Sequence, residues 1–459
     1  MVAKKMQKRL FGTNGVRGVI GKEVTPDLVL HIGEALGTLR KGRIAVGRDT
    51  RTSGETLIMA MKAGLLATGC DVVDCGILPT PALQYLVKEH YDGGAMITAS
   101  HNPPEYNGVK IIEPDGTEME DEETLKIESL VFDHTPPLKS WNLVGKEIIA
   151  HHLIDEYIDA IVNHFPSKPG AGITVVVDPG SGPACKTTPE ILRAMGCKVL
   201  TINGIMDGTF PGRLPEPSPE GLKNLSSMVV ASKAAFGVAH DGDADRAVFV
   251  DETGQFVEEN QEFALMVQYI TQTARGLIVT PVSTSQVVEM VANKAGSSVM
   301  YTAVGSIYVA RTMRGLIDSG KTVIFGGEGN GGLIFPNHQF CRDGAMTAAM
   351  MVAILAGRHM SLSSLVQQLP QRQMIKDKIA TPYGLQIVNY LTKKYSHESL
   401  DYTDGLKLKR GNCWALVRVS GTEPLIRITI DADNREQGMI LFDELKREIS
   451  LVLGTIPPS

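Results

Sequence analysis

Three times along this chain a β-type run, a polar loop, a helical run, a glycine and a second β-type run follow one another. The first copy is Ile44-Ala45-Val46, the loop 47–53, a helix stopped at Gly69, and Asp71-Val72-Val73. Thr52 and Glu55 are spaced as a capping box for its helix. The second copy is Ile173 to Val177, the loop 178–182, a helix from Pro189 to Met195, Gly196, and Lys198-Val199-Leu200. The third is Leu277-Ile278-Val279, Ser283-Thr284-Ser285, a helix from Gln286 to Lys294, Gly296, and Ser298-Val299-Met300. Each is a βαβ module. Their spacing is irregular, which predicts three related α/β domains rather than a solenoid. A length of 459 residues suits about three or four domains.

Between and after the repeats the pattern changes. Residues 10 to 21 are glycine-rich and read as a loop with one arginine, Arg17, which serves an anion contact and a plain surface turn equally well. Thr25, Pro26 and Asp27 open a helix as cap, first position and first turn. Residues 134 to 150, with Pro136-Pro137, read as a linker, and a helix from His152 to Phe165 hands the chain on. Asp251-Glu252-Thr253-Gly254 is a hairpin turn. Strands at Trp414 to Val419 and Ile426 to Ile430, then an amphipathic helix from Arg435 to Leu453, form a small α+β domain. The expected boundaries are 1–150, 151–256, 257–370 and 371–459.

Several classes are excluded or disfavoured. A net charge of -6 argues against a general nucleic-acid surface. The basic stretch Met1 to Arg9 lacks a following apolar run, so it reads as no signal peptide. The longest apolar stretch, Ala345 to Gly357, is too short to span a bilayer and reads as a buried helix. Six cysteines are scattered without a Cys-x-x-Cys pair, which predicts reduced thiols in a cytoplasmic protein.

Four stretches carry candidate chemistry. Ala95-Met96-Ile97 reads as a buried strand running into Thr98-Ala99-Ser100-His101-Asn102-Pro103. That places a hydroxyl at the end of a rigid element, beside an imidazole and a carboxamide. Such a serine suits a nucleophile or phosphate carrier, or a turn bonded to its own backbone. In Asp241-Gly242-Asp243-Ala244-Asp245-Arg246, alternate carboxylates on an extended segment project to one side. At about 5 Å they repel by roughly 3 kcal/mol per pair at an effective dielectric near 20. Buried, they need a cation, and oxygen ligands favour Mg²⁺ or Ca²⁺. An EF-hand fails, because Arg246 stands where glycine is needed and a β-type run replaces the helix.

Gly326-Gly327-Glu328-Gly329-Asn330-Gly331-Gly332 contains the dinucleotide pattern G-x-G-x-x-G. Strand-like Leu333-Ile334-Phe335-Pro336 follows where that fingerprint requires a helix, so the pattern is rejected. A carboxylate and a carboxamide, Glu328 and Asn330, in a glycine loop suit neutral hydroxyls; a mobile turn is the other reading. Finally, Arg418, Ser420, Gly421, Thr422 and Arg427 form a candidate phosphate cradle. No G-x-x-x-x-G-K-[ST] loop is present.

In this order, the four stretches resemble the α-D-phosphohexomutase family over essentially the whole chain. The resemblance implies an α/β fold of four domains around a central cleft, three related α/β domains and a smaller C-terminal α+β domain. It implies that Ser100 carries a phosphate, passes it to the free hydroxyl of a sugar phosphate, and takes back the other phosphate from a bisphosphorylated intermediate. It further implies one Mg²⁺ held by Ser100, Asp241, Asp243 and Asp245, a bisphosphorylated hexose as activator, and acid-base work near the serine. Lys110 matches the family's lysine, Arg17 and His101 match supporting positions, and Arg246 falls among substrate-binding ones. Lysine as a base needs its charge disfavoured; Lys110 or His101 is the candidate. Phe11-Gly12-Thr13 with Gly15-Val16-Arg17-Gly18 looks more like phosphoglucosamine mutases than phosphomannomutase/phosphoglucomutases. The sugar loop departs from Glu-x-Ser-Gly-His, with Asn330 for the serine and Gly332 for the histidine. Glucosamine phosphate is therefore the expected substrate, with mannose or glucose phosphate as alternative. A non-catalytic phosphosugar sensor is disfavoured by the intact Ser100, Lys110 and aspartates. No nucleic-acid or membrane partner is expected, and oligomeric state is not legible.

Overall fold

In the computed structural model, which describes residues 10–12, 14–132, 136–420 and 424–455, each repeat folds as a strand, a helix and a parallel strand. In the first, Arg43–Arg48 lies between Asp71–Ile77 and Gly94–Ile97, parallel to both. In the second, Thr174–Asp178 lies between Lys198–Thr201 and Phe236–His240, parallel to both. In the third, Leu277–Pro281 lies between Ser298–Thr302 and Val323–Glu328, again parallel. Parallel strands need both faces covered, and the central ones are apolar and buried. The three glycine stops are present, with left-handed backbone at Gly69 (φ +87°), Gly196 (φ +93°) and Gly296 (φ +74°), the geometry that ends a helix most readily at glycine.

The third parallel strand turns back in the first two sheets as an antiparallel neighbour, Tyr106–Ile112 and Ala247–Asp251. The expected hairpin at 251–254 joins Ala247–Asp251 to Phe256–Val257. Residues 373–432 form a wholly antiparallel five-stranded sheet. Helices Gly384–Lys394 and Arg435–Thr455 pack Ile387, Leu391, Leu445 and Ile449 against Val417, Ile426, Ile428 and Ile430 on one of its faces. The chain divides into two compact units, Met1–Glu262 with Asn330–Val366, and Phe263–Gly329 with Gln367–Ser459. No helix among the described residues is long and apolar enough to cross a membrane, and the apolar stretch at 345–357 is the buried helix Gly344–Arg358. All six cysteines are free thiols.

Three expectations are corrected. Residues 10–21 are not all loop: Val16–Val19 is an edge strand antiparallel to Tyr106–Ile112, with Arg17 opposite Gly108. The supposed linker adds a further strand, Glu147–Ile149, parallel to Asp71–Ile77; its residues 134 and 135 lie outside the described residues. The capping box does not form. Ser53 stands at the cap of helix Gly54–Ala67 with no side-chain cap bond, and Glu55 is instead paired with Arg48 at 2.5 Å. The Thr25 cap does form, its hydroxyl accepting from Leu28 N at 3.2 Å.

Helices Pro26–Leu39 and Gly54–Ala67 touch backbone to backbone. A Cβ on Gly64 would meet Leu30 O at 2.3 Å and Glu34 N at 2.7 Å. Gly64→Ala should therefore destabilise. The gain in helix propensity is about 1 kcal/mol, whereas overpacking costs about 1–3 kcal/mol and the obstacle is backbone. Gly315→Ala, in helix Ser306–Asp318 where a Cβ meets nothing within 4 Å, should be neutral or stabilising. Calorimetric Tm of both variants checks the pair.

Candidate active site

The serine loop begins where the buried strand Gly94–Ile97 ends. Thr98 Oγ1 donates to Asp49 Oδ2 at 2.7 Å and accepts from Ser100 N at 2.9 Å. Ser100 is 1% exposed and sits at φ +50°, a region non-glycine residues enter only when their surroundings hold them there. What holds it is Arg51. Its Nη2 donates to the carbonyls of Ser100 (2.8 Å) and Asn102 (2.6 Å), and its Nη1 to those of Pro103 (2.6 Å) and Tyr106 (2.9 Å). Its Nε meets Asp49 Oδ2 at 3.1 Å, and the guanidinium lies over the Phe210 ring. Ser100 Oγ donates to Asp241 Oδ2 at 2.9 Å and stands 3.4 Å from His101 Nδ1.

The aspartates follow the buried strand Phe236–His240. They lie on a turn, not on an extended segment: Ala244 takes φ +60° and its N donates to Asp241 O at 3.2 Å. The turn still converges the side chains, with one oxygen of each within 4.8 Å of the others, all buried. Cations from other segments meet them. Lys110 Nζ lies 2.8 Å from Asp243 Oδ2 and 3.1 Å from Asp245 Oδ2. Arg342 Nη2 lies 2.5 Å from Asp245 Oδ2. Arg246 Nε donates to Asp241 Oδ2 at 3.1 Å while its two Nη groups fork onto Glu216 at 3.1 and 3.0 Å. Thr80 Oγ1 adds a bond to Asp243 Oδ2 at 2.6 Å.

Burial, and then the charge of Asp245, push the Asp241 carboxyl up to about 7. Burial and Asp245 also work against ionised Asp243, but Lys110 outweighs them and holds it below the usual carboxylate range. Burial opposes Asp245 too, and Arg342 followed by Lys110 overcomes it. Lys110 itself is disfavoured by burial yet held above the ordinary lysine value by Asp243 and Asp245. Its charge is thus favoured here, the reverse of what a free lysine base requires. Burial and then Arg246 push the His101 imidazolium down to about 4, leaving a neutral ring near Ser100 at neutral pH.

Arg17 Nη1 reaches Asn102 Oδ1 at 3.4 Å. The first unit therefore gathers Ser100, His101, Lys110, Arg17, Arg246 and the three aspartates. Asn330 also belongs to it; its Oδ1 accepts from Gly332 N at 3.1 Å, and a strand, Gly332–Ile334, follows, not a helix. The loop is packed: a Cβ on Gly331 would meet Ala247 O at 2.3 Å. In the second unit Glu328 closes strand Val323–Glu328, buried. Arg418 and Arg427 stand directly opposite on neighbouring strands, and Ser420 N donates to Leu425 O at 2.9 Å. Gly421 and Thr422 lie outside the described residues. Sequence reasoning missed Arg51, Thr80, Glu216 and Arg342. Arg51 had a signal, an arginine two residues after an aspartate in the loop that ends a repeat strand. The others had none.

Models of the phosphoglucomutase/phosphomannomutase domains match in series: α/β/α domain I at residues 8–137, domain II at 155–254, domain III at 258–373 and the C-terminal domain at 375–448. A phosphoglucomutase/phosphomannomutase of Thermococcus kodakarensis is 44% identical over 94% of this chain and 96% of its own length. The chain belongs to the phosphoglucomutase/phosphomannomutase family. It is an isomerase of the phosphohexomutase class. A probable phosphoglucosamine mutase of Methanopyrus kandleri is 40% identical, over 95% of this chain and 96% of its own. A phosphoglucosamine/phosphogalactosamine mutase of Sulfurisphaera tokodaii is 39% identical, over 96% and 98%. Among solved structures, a family protein of Burkholderia thailandensis superposes with TM-score 0.85 at 25% identity, covering 96% of this chain and 97% of its own. A putative phosphomannomutase of Thermus thermophilus gives 0.82 at 27%, covering 97% and 100%.

The phosphohexomutase's acidic turn suits a metal ion. Three carboxylates face three cations in direct ion pairs, and one of those cations, Arg246, is shared with a fourth carboxylate, Glu216. Asp243 Oδ1 and Asp245 Oδ1 remain buried with no hydrogen-bond partner among the described residues. Buried acceptors are rarely left so, and hard oxygen donors match a hard divalent cation. The serine loop makes a separate prediction. Arg51→Lys keeps a charge beside Asp49 but loses the fork, and each buried carbonyl left unpaired costs about 1–3 kcal/mol. Its denaturant midpoint should drop well below that of the parent, and turnover should fall with it, measured on the same preparation.

Proposed function

We propose that this phosphohexomutase interconverts hexose 6-phosphates and 1-phosphates through a phosphorylated Ser100, with glucosamine phosphate preferred. The observation that carries the reading is the Ser100 hydroxyl, 1% exposed, at 2.9 Å from Asp241 Oδ2 in the buried acidic cluster. The two hydroxyls of a hexose that exchange a phosphate cannot reach one another, so a carrier is needed. In the first half, the Ser100 O–P bond breaks and a sugar O–P bond forms; the sugar hydroxyl loses its proton to a base, and Ser100 Oγ leaves as the hydroxyl by taking up a proton. The bisphosphorylated sugar turns over, and Ser100 takes back the other phosphoryl group by the reverse exchange. A released bisphosphorylated hexose therefore serves as activator for any enzyme that has lost its phosphate.

Phosphate on Ser100 brings about two further negative charges, and a Mg²⁺ held by Asp241, Asp243, Asp245 and a phosphate oxygen would neutralise charge on the transferring group. Lys110, kept charged, donates to phosphoryl oxygens. His101, with Nδ1 at 3.4 Å from Ser100 Oγ, is the better placed proton acceptor. Arg17 steadies the loop through Asn102, and Arg246 meets the substrate phosphate. Glu328 and Asn330 read ring hydroxyls, while Arg418, Ser420, Gly421, Thr422 and Arg427 hold the phosphate that is not being transferred. The glucosamine preference is supported by the Phe11-Gly12-Thr13 opening and by the two relatives named for phosphoglucosamine. A mannose or glucose preference is favoured by the Thermococcus relative, whose name is for those sugars. A cytoplasmic setting suits the free thiols.

Peptide mapping of active, purified enzyme should find phosphate on Ser100; phosphate found only elsewhere would end the carrier assignment. Kinetics on glucosamine, glucose and mannose 6-phosphates then decide the substrate. One charge-assisted hydrogen bond is worth roughly 1.5–3 kcal/mol, about ten- to a hundredfold in affinity. Arg418→Ala should weaken all three sugars by a similar factor of that size. Asn330→Ser should instead change the ratio of their kcat/KM values. The opposite pattern would exchange the roles of the two loops.

A further inference from the structure

We infer that Lys378 is a third cation of the phosphate cradle, a binding residue for the non-transferring phosphate of every hexose phosphate; this rests on the reading of Arg418 and Arg427 given above. In the C-terminal sheet, Lys378 on strand Gln373–Ala380 is directly opposite Arg427 on strand Leu425–Ala432. Arg427 is in turn directly opposite Arg418 on strand Cys413–Val419. Directly opposed side chains in an antiparallel pair share a face and lie about 4.5–5.5 Å apart at Cβ. Lys378, Arg427 and Arg418 therefore form one row of positive charge across three strands.

That row is on the face away from the two helices. The same face carries Met374, Trp414 and Leu416, and there Trp414 and Leu416 pack with Val282 and Tyr301 of the same unit. Lys407 Nζ also donates to Val282 O at 2.7 Å. One end of the face is thus covered, and the arginine row lies toward the other end, the end of strand Cys413–Val419. Like charges set directly opposite one another destabilise a sheet. Asp404 lies 2.7 Å from Arg418 Nε while accepting from Val304 N at 2.9 Å, and Arg427 also has a contact of its own. Lys378 is exposed, and its ammonium makes no ion pair among the described residues. An anion on the row relieves the repulsion, and a phosphate dianion has oxygens enough for an ammonium beside two guanidiniums. Lys376, two residues earlier on the same strand face, is opposite Thr429 and is outside the row, which makes it an internal control.

The test measures KM and kcat for glucosamine, glucose and mannose 6-phosphates in Lys378→Gln, Lys378→Arg, Lys376→Gln and Arg418→Ala. Lys378→Gln should raise KM about three- to tenfold for all three sugars, with kcat unchanged and Tm no lower, since it removes a like charge from the row, and its KM should depend less steeply on salt. Lys378→Arg should restore the parent values and Lys376→Gln should have no effect. An unchanged KM in Lys378→Gln beside a raised KM in Arg418→Ala would overturn the assignment of Lys378 alone. An equal rise in Lys376→Gln would also overturn it, since the effect would then be diffuse charge. An unchanged KM in Arg418→Ala would remove the cradle reading and this inference with it.

Discussion

Three buried carboxylates on one short turn are tolerable only with cations among them, and the first unit is built around that requirement. Two unit charges 4 Å apart interact by about 4 kcal/mol at an effective dielectric of 20, so the repulsion within Asp241, Asp243 and Asp245 rivals the whole stability of a domain. Lys110 comes from a strand of the first sheet, Arg246 closes the turn itself, and Arg342 lies just before helix Gly344–Arg358. Segments far apart in the chain are therefore brought together by one electrostatic condition. Lys110 and Arg246 each have their own desolvation opposing them, and each is held charged, Lys110 by Asp243 and Asp245 and Arg246 by Asp241 and Glu216. Removing one partner of such a pair leaves a buried charge uncompensated, at about 3–5 kcal/mol. The turn, the strand and the helix start are coupled in stability for that reason.

The topology explains why the chemistry collects where it does. In each repeat the third parallel strand flanks the first strand on the side away from the second. The serine loop follows Gly94–Ile97, the acidic turn follows Phe236–His240, and Glu328 ends Val323–Glu328. These are equivalent positions in three copies of one module. Loops at the carboxyl ends of parallel strands are free to vary while the buried strands below stay fixed. One scaffold has thus been given three different loops, a hydroxyl with an imidazole, a set of carboxylates, and a carboxylate among glycines.

Much of this was legible because it rests on local chemistry. The repeat strands, the glycine stops and helix Gln286–Lys294 follow from hydrophobic period and end signals, and the helix bounds agree with the structure. Val16–Val19 was not legible, because a short edge strand beside Gly12 and Gly15 has too little pattern to separate it from a turn. Glu147–Ile149 is only three residues long and exposed throughout, so its two isoleucines show neither a period nor a buried face. The aspartates were found for an incomplete reason: the Asp-x-Asp-x-Asp spacing suggested a flat strand, whereas a left-handed Ala244 folds them together. Lys110 was found by resemblance, but its charge state depends on Asp243 and Asp245, more than 130 residues away. Arg342 and Glu216 are the same case. A partner supplied by tertiary folding leaves no trace in the neighbouring sequence.

Arg51 shows how the strain at the proposed carrier is sustained. A non-glycine residue in the left-handed region costs about 1–3 kcal/mol, and the local bond from Ser100 N to Thr98 Oγ1 is reinforced from Arg51. The guanidinium spends four N–H contacts on the carbonyls of residues 100, 102, 103 and 106, and a fifth on Asp49, which also accepts from Thr98. Four of these acceptors are backbone carbonyls and the fifth is the Asp49 carboxylate; the Pro103 carbonyl also accepts from Tyr106 N at 3.1 Å. The same contacts that satisfy them fix the loop against the first repeat strand, whose end carries Asp49. Ser100 Oγ is then oriented by backbone rather than by its own rotamer alone. For a group proposed both to give and to accept a phosphoryl unit in line, that matters more than affinity, because misplacement by 1 Å can cost about a hundredfold in rate. The buried arginine, invisible as chemistry since it touches no reacting atom, is what lets a strained serine remain a rigid one.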